Sequence, residues 1–139
     1  MKAKFVLEQL NRFERCTNQE VVDLKADWEK GYTGSEYIIP HNEGHLLAIE
    51  SAKGLIKDMG EYINKVSLKK VIKAKMKECK IHTMMVDNHY ELKLALGKTE
   101  DEAGSIFDDN YFRFDGMDCA YRTILEILRK DYYFPKDNT

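Results

Sequence analysis

Proline and glycine are scarce. Two prolines and eight glycines among 139 residues leave nothing that reads as a linker or a low-complexity segment. Long apolar runs are missing too. None approaches the roughly 20 residues needed to cross a bilayer, so no membrane association is expected. The opening MKAKFVLEQLNRFER has a basic tip but neither an uninterrupted apolar stretch nor a small-residue cleavage site, which argues against a secretory leader. Cys16, Cys79 and Cys119 are odd in number and widely spaced, a pattern of reduced thiols in a cytoplasm rather than of a disulfide framework. Catalytic signatures are likewise missing: there is no G-x-S-x-G, no C-x-x-C and no phosphate-cradling glycine loop. Cys79 and Cys119 fall on apolar stripes, where a free thiol behaves as a small hydrophobe.

What remains is the profile of one globular domain spanning 1–139, with 43% hydrophobic and 33% charged residues. A chain of this length removes roughly two thirds of its unfolded surface from water. The net charge of −2 conceals a segregation: residues 51–80 carry nine Lys against three acids, and residues 99–118 carry one Arg against seven acids. The two blocks either face each other or face two partners. Lys outnumbers Arg 17 to 5, compatible with an AT-rich prokaryotic or phage genome.

Periodicity predicts an α+β fold of about five helices and a small antiparallel sheet. Val6, Leu10 and Phe13 share a helical face over 3–15. Thr17 and Glu20 have capping-box spacing, which predicts a second helix from there to Gly31. Pro40 disfavours helix at Ile39, so an extended piece near 36–39 is expected, and then a long helix over about 43–64. Gly54 and Gly60 inside it mark a close approach or a break, and its apolar face is also a candidate dimer seam. Ser67 is positioned to cap a lysine-rich helix over 67–80. From 81 the period changes to two: Tyr90, Leu92, Leu94 and Leu96 alternate with Glu91, Lys93 and Ala95, predicting a hairpin near 81–96 turned at Asp87–His89. A further strand is expected near 111–114, and a last helix capped by Asp118.

The segment HNEGH places His41 and His45 four apart, the spacing that puts two zinc ligands on one helical face. Glu50 is the candidate third ligand, and Glu43 or an acid from 108–118 would complete a metal-dependent hydrolase site for zinc or another divalent metal. The segment lacks a glutamate directly after the first histidine, and Asn42 is a good N-cap residue. If Asn42 caps, His41 falls outside the helix and the geometry fails; the segment is then only a helix N-terminus with Glu43 set against the dipole.

The charge blocks and missing chemistry favour a cytoplasmic, non-enzymatic regulator or inhibitor, of the kind common in phages and mobile elements, that binds another macromolecule and needs no cofactor. A protein partner is expected, met through Asp108, Asp109, Tyr111 and Phe112, since aromatic anchors ringed by charge suit an interface. Lys69, Lys70, Lys73 and Lys77 form a second candidate surface, for an acidic partner or, alternatively, for nucleic acid phosphates. Against nucleic acid stand the overall acidity and the lack of Arg, the usual base reader, in that helix. A homo-oligomer is a further possibility.

Overall fold

The computed structural model describes residues 1–31 and 37–136. It is all-α among them, with five helices: α1 (Ala3–Glu29), α2 (Ile38–Met59), α3 (Lys65–Ala95), the short α4 (Glu100–Gly104) and α5 (Asp109–Leu128). The expected α+β architecture is therefore corrected. No strand forms among the described residues; the only β pairing there is an isolated bridge between Lys2 and Tyr62.

Each departure has a local cause. Thr17 does not start a helix. Its hydroxyl donates to the Phe13 carbonyl (3.0 Å) inside a continuous α1, the back-bonding open to a mid-helix Thr. Pro40 lies in the first turn of α2, where backbone N–H groups have no intrahelical acceptor and a proline loses nothing. The extended piece expected near 36–39 is thus helical from Ile38 on; residue 36 lies outside the described residues. Asn42 is buried inside α2 rather than capping it. α3 is capped by Asn64, whose side chain accepts from the Ser67 N–H (3.1 Å), and it runs straight through the expected hairpin. No Gly or Pro interrupts residues 65–96. α3 stops at Gly97, whose φ of +87° allows the reversed turn in which Lys98 N–H reaches the Lys93 carbonyl and Gly97 N–H the Leu94 carbonyl. Residues 111–114 are helical because α5 starts at Asp108, which accepts from the Tyr111 N–H (3.0 Å). Asp118, expected as a cap, sits in mid-helix and pairs with Arg122 (3.0 Å).

α5 is the central element. It packs on both α2 and α3, and α1 lies on α2. One apolar cluster joins them: Val6 and Leu10 of α1, Ile49 and Ile56 of α2, Leu68 and Ile72 of α3, and Tyr121, Ile124 and Leu128 of α5. The C-terminal segment closes the cluster. Phe134 stacks on Phe13 (ring centroids 4.8 Å apart), its N–H donates to Gln9 Oε1 (2.6 Å), and its carbonyl accepts from Arg12 Nη1 (2.9 Å).

α2 and α5 meet backbone to backbone at two glycines. A Cβ on Gly44 would collide with the Arg113 carbonyl, and one on Gly116 with the His41 carbonyl. Each helix thus needs a glycine where the other's main chain passes. Ala48 and Ala52 continue the small stripe along α2, and Ala120 along α5, all buried.

Gly44→Ala or Gly116→Ala should therefore destabilise the protein by about 3 kcal/mol or more, because backbone has to move. Gly54→Ala, in mid-α2 with nothing within 4 Å of the added methyl, should instead stabilise by about 0.5–1 kcal/mol. Thermal melts of the three variants read the contrast directly.

Candidate functional site

The crossing at Gly44 and Gly116 decides what stands beside it. His41 and His45 are separated by one turn of α2, and Asp115 and Cys119 by one turn of α5. Because Gly116 sits on the His41 backbone, the adjacent Asp115 reaches the His41 ring, with Oδ2 3.3 Å from Nε2. Donor atoms of His41, Asp115 and Cys119 all lie within 4.8 Å of one another, the one such three-residue group among the described residues, and all three side chains are half-buried. The His45 ring packs edge-on against His41 (4.8 Å between centroids) and against Phe13 (5.5 Å).

Two buried polar atoms on these turns of α2 lack a hydrogen-bond partner: His45 Nε2 and Asn42 Nδ2. Burial, and secondarily the His41 charge, hold the His45 imidazole down at about 4, from an ordinary 6.5, so it is neutral at physiological pH. Burial pushes the Cys119 thiol up, and the Asp115 charge adds to this, so the sulfur is protonated.

The α2 register that His41 and His45 required is thus present. Glu50, the expected third ligand, is exposed and stands outside the group. Glu43 accepts a hydrogen bond from Arg113 Nε (2.8 Å) instead. Asp115 is one of the acids of 108–118 expected to complete such a site, whereas Cys119 was expected only as a small hydrophobe on an apolar stripe. A helical α5 would have shown them at i, i+4, but the strand expected at 111–114 concealed it.

The expected acidic contact surface is largely engaged within the protein. Asp108 caps α5. The Tyr111 hydroxyl donates to Asp87 (2.9 Å), and its ring lies between Phe107 and Phe112. Burial and that bond push the phenol up to about 12. Phe112 in turn meets Tyr37. Asp109 remains exposed. Among the described residues no ion pair joins these acids to the lysines of α3.

α3 presents a second candidate surface. Its inner face carries Leu68, Ile72, Cys79, Val86 and Tyr90. On the opposite face, Ile81 (49% exposed), Met85 (66%), Leu92 (56%) and Leu96 (72%) form an open apolar stripe. Lys70, Lys73 and Lys77 are exposed along the same side, while Lys69 is half-buried on the flank.

A buried neutral histidine makes stability depend on pH. The unfolded chain binds a proton at His45 near 6.5, the folded one only near 4, so stability is full above 6.5 and falls as pH drops toward 4. Metal-free protein should lose on the order of 1–2 kcal/mol from this group between pH 7 and pH 5, the smaller figure allowing for partial exposure. His45→Phe should flatten that part of the curve in denaturant titrations at the two pH values.

No helix among the described residues is long and apolar enough to cross a membrane. No protein-family model matches the chain, and no curated protein or solved structure matches it either.

Proposed function

We propose that this protein is a non-enzymatic cytoplasmic binding module that acts through protein–protein contact, and that the contact is the outer face of α3 against a second copy of the chain. The observation that carries the proposal is the apolar stripe itself. Val71, Ala74, Ile81, Met85, Leu92 and Ala95 fill six of the eight positions of a row spaced alternately by three and four residues along one exposed face, Glu78 and Asn88 filling the other two. This is the seam of a two-helix pairing, and from Val71 to Ala95 it runs about 36 Å at 1.5 Å per residue.

The polar residues in the seam select the partner. Glu78 and Asn88 interrupt it. A parallel pairing would bring Glu78 against the partner's Glu78, two like charges in an apolar interface. Reversed, the register sets Ile81 on the partner's Met85, Ala74 on the partner's Leu92, Val71 on the partner's Ala95 and Glu78 on the partner's Asn88. Lys77 then flanks the partner's Glu91. Every match occurs twice across a two-fold axis, as an isologous interface requires. In this reading Lys70, Lys73 and Lys77 serve the rim of a protein interface. Glu78 among them and the absence of Arg disfavour nucleic acid as the occupant. A cytoplasmic setting suits three free thiols, one of them, Cys16, exposed.

Sedimentation equilibrium and native mass spectrometry test the proposal. Wild type should be dimeric at about 100 µM, a dissociation constant in the micromolar range being what a modest seam supports. Leu92→Lys, on an exposed position that leaves the core untouched, should be monomeric with an unchanged helical signal. Glu91→Lys or Lys77→Glu should each weaken pairing about tenfold, and the double exchange should restore it. A wild type that stays monomeric at that concentration, or a Leu92→Lys variant that dimerises normally, would overturn the assignment.

A further inference from the structure

The cluster at the α2–α5 crossing has no part in that interface, and its chemistry points elsewhere. We infer that His41, His45, Asp115 and Cys119 form a binding site for a zinc-class transition metal, a staple between α2 and α5.

Four observations support it independently of α3. First, the donors are an imidazole, a carboxylate and a thiol, the mixed N, O and S set that suits Zn²⁺ and Co²⁺; the hard ions Mg²⁺ and Ca²⁺ select oxygen alone. Second, the spacing is nearly right. Ligand atoms around tetrahedral zinc stand about 3.4 Å apart, given bonds of 2.0–2.3 Å. His41 Nε2 and Asp115 Oδ2 are already at 3.3 Å, and these two residues and the Cys119 sulfur have donor atoms all within 4.8 Å of one another, with His45 outside that group. A side-chain adjustment of about an ångström closes it. Third, the platform is rigid. Both ligand pairs are at i, i+4 on facing helices, and the contacts at Gly44 and Gly116 fix one helix against the other, the arrangement by which helix bundles present inward metal ligands. Fourth, His45 Nε2 is a buried nitrogen without a partner, one turn from His41. His45 stands outside the three-residue group as it is, and in the proposed site its ring turns toward Asp115 to supply the fourth ligand.

The charge balance agrees. Binding M²⁺ displaces the Cys119 thiol proton to solvent, and the thiolate and the Asp115 carboxylate together neutralise the ion. With four protein ligands the site is closed, which assigns the metal a structural part rather than a hydrolytic one. It differs from the site expected at His41, His45 and Glu50 in drawing half its ligands from α5.

The test uses untagged full-length protein, stripped with chelator and titrated with Co²⁺ alone. One equivalent should produce the intense visible bands of tetrahedral cobalt and a near-ultraviolet thiolate charge-transfer band. Zn²⁺ should bleach both and raise the melting temperature. Cys119→Ser should abolish the charge-transfer band, and Asp115→Asn should weaken binding at least about tenfold. His45→Gln should weaken binding comparably and move the cobalt spectrum toward higher coordination. Repeating the titration on the monomeric Leu92→Lys variant separates the two proposals, since metal binding there should be unchanged. Absence of a thiolate–cobalt band in folded wild type, or zinc binding that survives Cys119→Ser together with His41→Gln, would overturn the site.

Discussion

Everything in this fold is referred to the place where two main chains touch. Gly44 and Gly116 let α2 and α5 approach until the carbonyl of one lies where the other's side chain would be. Ala48, Ala52 and Ala120 carry small buried side chains on the neighbouring turns. α5 then has α2 on one side and α3 on the other, so a shift at the glycines would be passed to both. The same closeness brings Asp115 to His41 and keeps His45 away from water. Scaffold and candidate metal ligands are thus consequences of one steric permission.

How much of this was legible in the sequence differs by element. The inward faces of early α1 and of the first half of α3 followed in the main from simple periodicity: Val6, Leu10, Phe13, Leu68, Ile72 and Cys79 are buried as expected, while Val71 and Met76, expected on the same side as the last three, are 37% exposed and half-buried, respectively. The sheet was an error with a definite origin. Tyr90, Leu92, Leu94 and Leu96 alternate with polar residues. In a helix, however, Tyr90 and Leu94 take the inner face while Leu92 and Leu96 take the outer one. A helix apolar on two sides imitates a strand over a window that short. The uninterrupted run without Gly or Pro over 65–96 was the better guide, because a hairpin needs turn residues and Asp87–His89 are weak ones.

The glycines show the same limit. Gly54 and Gly60 drew attention by sitting inside a predicted helix, yet Gly54 meets nothing and Gly60 ends α2 with a φ of +86°. The two that matter carry their signal in company: Gly44, Ala48 and Ala52 on one helix, Gly116 and Ala120 on another. Small residues at intervals of four mark a close crossing only once both segments are known to be helical. That condition failed for 111–114, and with it went the i, i+4 pairing of Asp115 with Cys119.

The grip of the C-terminal segment on α1 bears on how the chain is made. Phe13 is covered by the Phe134 ring, and both Gln9 and Arg12 bond the Phe134 main chain across a separation of up to 125 residues. At translation speeds of 5–20 residues per second, that stretch takes on the order of 10 s to emerge. α1 thus emerges well before the segment that completes its packing. Through that interval α1 has α2 to pack on, but the side of Phe13 that Phe134 covers stays open.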